Sequence, residues 1–232
     1  MPKRRRGASS CRGLSLDQLL DQCATALTNY PELRISATKF PVTIKGTFVL
    51  SGSKGPFVGF DVHIELHEGF PIEQPRLFEI GGRIPRTKNR HVFRQGFACL
   101  EVWPTWLAQN NDWSVTSVLD GPIRNFLLSQ FEFERTGDWP FGEHAHGDEG
   151  QLGALKSLLD PAGANTKKAQ WMLRALYRWP KGHNPCLCGS GQRFRDCHRP
   201  ELEHVRLGFN PAALAAMGKM IEEIDAKKAS KK

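Results

Sequence analysis

The sequence predicts an α+β protein. An N-terminal helix, an antiparallel β-meander, a cysteine-bearing segment and crossover helices are followed by a small metal-binding helical segment. Three observations carry this prediction. Leu16, Leu19, Leu20, Cys23 and Leu27 recur near helical spacing. Residues 42–66 alternate apolar and polar side chains on either side of a turn. Cys186, Cys188, Cys197 and His198 crowd into one short stretch.

The totals bound the reading. The chain has 232 residues, 40% of them hydrophobic, enough for one good core plus a small appendage. No apolar run approaches a membrane span and no signal-peptide pattern opens the chain, so a cytoplasmic location is expected. The net charge is +8, and it sits at the ends. Residues 1–13 carry Lys3, Arg4, Arg5, Arg6 and Arg12, residues 226–232 carry Lys227, Lys228, Lys231 and Lys232, and neither end has an acid. The middle is then close to neutral. Two solvated, disordered ends are expected, with a phosphate-binding or acidic-partner arm as the alternative. The six cysteines, Cys11, Cys23, Cys99, Cys186, Cys188 and Cys197, are clustered unlike a disulfide framework. They suggest metal binding in a reducing compartment.

Taken in order, Leu14 to Leu27 reads as a helix capped by Ser15, with Cys23 as a small core residue and Tyr30-Pro31 as its stop. Val42 to Phe48 and Phe57 to Leu66 read as a hairpin with one apolar side, turned at 51–55. His63 and His67 are expected as exposed partners on that sheet. Phe70-Pro71-Ile72-Glu73-Gln74-Pro75 is a turn into a third short strand, Arg76–Ile80. Trp113-Ser114 introduces Val115, Val118, Leu119, Ile123, Leu127 and Leu128, an amphipathic helical pattern in which Pro122 predicts a kink or a later start. Trp103-Pro104-Thr105-Trp106-Leu107 is expected to pack over the core, with a partner surface as the alternative. Trp139 to Asp148 reads as a loop carrying His144 and His146. Leu152–Leu159 and Thr166–Tyr177 read as helices, and Pro211 opens a terminal helix with Leu214, Met217, Ile221 and Ile224 on one side.

Asn89-Arg90-His91 and, after it, Gly96-Phe97-Ala98-Cys99-Leu100 resemble the active-site stretch of the ubiquitin-conjugating enzymes. That family has a His-Pro-Asn triplet before its catalytic cysteine and a Gly-x-x-Cys-Leu sequence containing it. Here the second element matches, and His91 falls where the family has Asn. Phe70-Pro71 and Gln74-Pro75 match two family dipeptides in their prolines only, and the gap from Cys99 to Trp113 is longer than in common members. The resemblance spans about residues 14–150 and implies a UBC-like fold. It implies a transferase that carries the C-terminus of a ubiquitin-like or other small protein as a thioester on Cys99. The acyl group then passes to the amine of an acceptor lysine, and an activating enzyme is the implied partner. Bacterial relatives belong to conjugation systems, several of them associated with anti-phage (antiviral) defence. An oxyanion donor is needed beside the cysteine; the resemblance assigns that place to His91, and the loop after the crossover helix brings His144 or His146 into consideration. Two rival readings remain: a catalytically inactive UBC-fold adaptor, and a cysteine hydrolase pairing Cys99 with His91 or His144. For Cys99 itself the plain structural reading is a buried small apolar residue.

Asn184-Pro185-Cys186-Leu187-Cys188-Gly189-Ser190-Gly191-Gln192-Arg193-Phe194-Arg195-Asp196-Cys197-His198 resembles the SEC-C motif, a short zinc-binding segment. Three thiolates and one imidazole make a closed tetrahedral set, as in structural zinc sites, so Zn2+ held by Cys186, Cys188, Cys197 and His198 is expected. Gly189 and Gly191 let the chain turn tightly there. Arg193, Arg195 and Arg199 add a weak pointer to nucleic acid. The resulting division is a disordered basic tail (1–13), a UBC-like conjugating domain (14–150), a helical connector (151–180), a SEC-C zinc motif (181–201), and a C-terminal helix with a basic tail (202–232).

Overall fold

The computed structural model describes residues 13–140, 153–154, 157, 159, 166–207 and 209–230. The N-terminal basic tail, Cys11, His144 and His146 lie outside the described residues. The chain forms two compact units. One is built from the described residues of Arg12–Glu101 and Asp112–Glu143, the other from those of Val102–Asn111 and His144–Lys232.

The first unit opens with α1 (Leu16–Leu27). The expected cap is a full capping box: the Gln18 N–H donates to Ser15 Oγ at 3.3 Å, and the Ser15 N–H donates to Gln18 Oε1 at 3.0 Å. Leu19, Cys23 and Ala26 form its buried face. Desolvation pushes the Cys23 thiol up to about 12, which suits an inert core residue.

Four strands follow, β1 (Leu33–Ala37), β2 (Val42–Gly52), β3 (Gly55–Leu66) and β4 (Arg76–Glu79), paired antiparallel in that order. Register explains which face is buried. Val42 lies opposite Leu66, Ile44 opposite Ile64 and Phe48 opposite Phe60, and all six are buried. The other face pairs Lys45 with His63 and Thr47 with Asp61, and Thr47 Oγ1 donates to Asp61 Oδ1 at 2.8 Å. A one-residue slip would turn every one of these side chains over, so the alternation fixes the register. β1 is an element the sequence pattern did not announce.

His63 and His67 depart from the expectation of exposed residues. Their Nε2 atoms flank the Glu65 carboxylate at 3.7 and 3.5 Å, and the two side chains are only 23% and 22% exposed. Desolvation, helped by the Lys45 charge and opposed by Glu65, holds His63 below its ordinary value.

After the cysteine segment, α2 (Trp103–Gln109) belongs to the second unit. The chain returns to the first unit through α3 (Val115–Val118), capped by Ser114, whose Oγ accepts the Ser117 N–H. A π turn spans Leu119–Ile123, and α4 (Arg124–Thr136) continues it. The kink expected at Pro122 takes this form. Proline has no N–H to donate and its ring crowds the preceding turn, and a wider turn accommodates both.

In the second unit, α5 (Thr166–Arg178), α6 (Arg199–Leu207) and α7 (Pro211–Ala229) surround the cysteine-rich segment. Of Leu152–Leu159, Gly153, Ala154, Ser157 and Leu159 are described, and they are helical. Met172, Ala175, Leu176, Phe194 and Leu202 make one apolar cluster with Cys186. Arg174 pairs with Asp225 at 2.7 Å, and Tyr177 donates to Glu222 at 2.8 Å, tying α5 to α7. α2 packs on α7. Trp103 and Trp106 stack with centroids 4.7 Å apart and both are buried. They therefore pack, as expected, rather than forming a free partner surface. Asn210 caps α7 through the Ala213 N–H and donates from Nδ2 to the Leu107 carbonyl at 2.6 Å. The basic C-terminal end corrects another expectation. α7 runs through Lys227 and Lys228 to Ala229, because Lys and Ala are good helix formers. Among the described residues no helix is long and apolar enough to cross a membrane.

Candidate active site and candidate metal centre

His91 and Cys99 stand opposite one another at the base of a β-hairpin. The Cys99 N–H donates to the His91 carbonyl at 2.6 Å, and the Phe93 N–H to the Phe97 carbonyl at 2.9 Å, while Val92 and Ala98 form a bridge between them. Gly96, at φ +91°, closes the turn, where its N–H donates to the Phe93 carbonyl at 2.8 Å. Ala98 also donates to the Leu77 carbonyl at 2.7 Å, which fastens the hairpin to β4. Alternation along the arms puts Val92 and Ala98 on one face and Phe93, Phe97 and Cys99 on the other. Ala98 is buried, Phe93 is 40% exposed and Cys99 is half-buried, so the cysteine lies on the outward face. Partial burial still pushes its thiol pKa up. The group rests as a thiol near neutrality rather than as an activated thiolate.

The eight-residue spacing from His91 to Cys99 is thus a cross-strand pairing of main chains. The His91 ring contacts the Trp139 indole edge-on at 4.7 Å, and Trp139 stacks on Phe133 at 4.4 Å. His91 is itself left-handed, at φ 51° and ψ 41°. Asn and His enter that region more readily than most residues.

Two groups here escaped sequence reasoning. Gln130 on α4 is fully buried. Its Oε1 accepts from Arg90 Nε at 2.7 Å, and its Nε2 donates to the Arg90 carbonyl at 2.9 Å. Glu134, one turn on, pairs with Arg90 at 3.2 Å and Arg83 at 2.8 Å. The residue before His91 is therefore clamped from two sides. A polar residue on the apolar stripe of Phe126 and Leu127 was the available signal. The second group is Glu101, whose surface is exposed but whose carboxyl is raised by desolvation against a lowering hydrogen bond from Asn125.

The clamp yields a first prediction. Gln130→Ala strands buried polar atoms of Arg90, at a cost of about 1–3 kcal/mol. Denaturant unfolding should register that loss. An unchanged midpoint would mean the clamp contributes nothing.

The candidate metal centre lies on the second unit. The ligand atoms of Cys186, Cys188, Cys197 and His198 all lie within 4.8 Å of one another. Cys188 and Cys197 have Sγ atoms 3.7 Å apart, and Cys186 Sγ is 3.5 Å from His198 Nδ1. Those separations fit the edges of a tetrahedron around an ion with bonds of about 2.3 Å to sulfur and 2.0 Å to nitrogen. Local structure makes the set. Gly189 and Gly191 both adopt positive φ, the Cys186 N–H donates to the Gln192 carbonyl at 2.8 Å, and the Phe194 N–H to the Asn184 carbonyl at 2.8 Å. Phe194, fully buried, anchors the loop in the apolar cluster. The outer nitrogen of His198 lies 3.9 Å from Glu201, and its ring packs on Trp171 at 4.4 Å. A carboxylate behind a ligating histidine fixes its orientation. The Ser190 hydroxyl lowers the Cys188 thiol to about 6, whereas burial raises Cys186.

A family model, the SEC-C motif, matches residues 184–200. This stretch holds all four residues of the cluster, which is compatible with a bound metal ion. Searches of curated proteins and of solved structures returned no match.

Proposed function

We propose that the protein is an acyl carrier of the ubiquitin-conjugating type, with Cys99 as nucleophile, and that the ion at Cys186, Cys188, Cys197 and His198 is a structural zinc. The observation that carries the first part is the hairpin pairing of Cys99 with His91, which puts the thiol on an outward face beside a clamped main chain. The order of helix, four-stranded meander, cysteine hairpin and Trp-Ser helix supports a UBC-like reading of the first unit. The second part rests on the closed donor set of three thiolates and one imidazole.

In the proposed reaction the Cys99 sulfur attacks the thioester of an incoming protein C-terminus. A new C–S bond forms, the old one breaks, and the Cys99 proton leaves with the departing thiol. A lysine amine of the acceptor then attacks the Cys99 thioester; the C–N bond forms, the C–S bond breaks, and the amine proton returns to sulfur. A thiol held high is a poor leaving group. The raised Cys99 pKa makes the thioester a slower acyl donor to water and amine alike, so discharge depends on positioning the amine. Glu101, two residues on, is a candidate to take the amine proton.

The test is charging. With a carrier protein, its activating enzyme and ATP, the chain should form an adduct on a non-reducing gel that vanishes with reductant. Binding of the activating enzyme without any adduct would favour the adaptor reading. Cleavage of a pre-formed conjugate without ATP would favour the hydrolase.

A further inference from the structure

The end of α4 folds back toward the cysteine hairpin. Gly137, at φ +80°, closes the helix by donating its N–H to the Phe133 carbonyl at 2.8 Å. Glycine enters that left-handed turn without steric cost. The Asp138 N–H then donates to the Thr136 hydroxyl at 3.2 Å. The chain reverses, and the Trp139 indole stacks on Phe133 with ring centres 4.4 Å apart. The Arg90 guanidinium lies 5.0 Å from the Phe133 ring centre. The His91 ring meets the indole at 4.7 Å, with the two planes 85° apart. Consecutive residues on the approach to Cys99 therefore rest on one aromatic pair, Arg90 on Phe133 and His91 on Trp139. Trp139 is only half-buried, whereas Trp103 and Trp106 are each 5% exposed. Filling a core does not account for its place.

We infer that Trp139 is the positioning residue of His91: its indole sets the direction of the imidazole, and through it the rate at which the Cys99 thioester passes to an amine, a role that rests on the acyl-carrier reading. The Cys99 N–H donates to the His91 carbonyl at 2.6 Å. That bond fixes the main chain of His91 and leaves the direction of its imidazole to side-chain contacts. An edge-to-face aromatic contact has a preferred geometry, so the indole holds the ring in one orientation. An oxyanion donor acts only within hydrogen-bond reach of the developing charge. A donor displaced by an ångström can cost ~10²-fold in rate.

A synthetic peptide thioester loads Cys99 without an activating enzyme, and free lysine serves as the acceptor. Loading and discharge are followed separately by the intact mass of the full chain, with iodoacetamide alkylation of Cys99 reporting hairpin integrity in each variant. Trp139→Ala should load at the wild-type rate and discharge ~10–100-fold more slowly. Trp139→Phe keeps an aromatic ring between Phe133 and His91 and should recover most of the rate. In a His91→Gly chain the Trp139→Ala change should cost nothing further, because the ring it positions is gone. NMR gives a readout independent of activity: the ring-current shift of the His91 imidazole protons should vanish in Trp139→Ala and persist in Trp139→Phe. Equal slowing with and without the His91 ring, or loading and discharge slowed together, would make Trp139 a structural support and overturn the inference while leaving the carrier reading intact. Faster discharge from Trp139→Ala would also overturn it, since the indole would then be restraining the imidazole. Failure of the thioester to load a wild-type Cys99 that iodoacetamide does alkylate would sink the carrier reading, and the positioning role with it.

Discussion

Replacing Cys188 with serine is expected to empty the metal centre and melt the unit built around it. Beyond a few main-chain hydrogen bonds and the apolar anchor of Phe194, the ion is what is expected to hold the loop of the four ligands together. Structural zinc contributes about 10–16 kcal/mol to small domains, comparable with or larger than the whole stability of an ordinary domain, about 5–15 kcal/mol. Elemental analysis of the wild type should give about one equivalent of zinc, and the variant almost none. Loss of helical signal should come from α5, α6 and α7, while the sheet-bearing unit, which contributes no ligand, should keep its own transition. Equal zinc in wild type and variant would show the centre is misplaced.

The second large effect concerns His91. If its side chain stabilises the oxyanion, His91→Ala should slow discharge to an amine by ~10²–10³ while charging persists. The left-handed backbone adds a separate cost, because alanine at φ 51° is strained by about 1–2 kcal/mol. His91→Asn tolerates the conformation and restores a donor, so it should retain part of the discharge rate. His91→Gly relieves the backbone but supplies no donor. Comparing Asn with Gly separates the two roles. If Gly discharges as well as Asn, His91 serves the hairpin through its backbone alone. If Asn is as inactive as Ala, the role inferred from the conjugating enzymes does not belong to this position.

How far the sequence could be read depended on how local each constraint was. α1 was legible because its cap and stripe lie within a dozen residues, and the β2–β3 hairpin because its alternation continues across the turn. The metal cluster was the most legible of all, since four ligands and two glycines declare themselves within one loop. β1 was not, because Leu33 and Ile35 are too few to establish a period and only pairing with Ile44 and Gly46 makes that stretch a strand. The helix at Trp103–Gln109 was hidden behind Pro104, which opens a helix as readily as it breaks one. The main-chain pairing of His91 with Cys99 could not be read from their spacing, and the ring environment of His91 depends on Trp139, which is distant in sequence. The Gln130 clamp depends likewise on a contact across forty residues. Lys227 and Lys228 read as tail because charge was weighed above helix propensity.

The central claim is that Cys99 carries an acyl group. Its most direct measurement is intact mass followed by peptide mapping of the chain after incubation with carrier, activating enzyme and ATP. Wild type should gain one carrier mass on the peptide containing Cys99, removable by thiol. Cys99→Ser should show either no adduct or a slower, reductant-stable ester, since serine oxygen is the poorer nucleophile here. Cys23→Ala should charge normally, its thiol being fully buried in the core. Undiminished charging of Cys99→Ala, or an acyl group mapped to any other cysteine, would contradict the account.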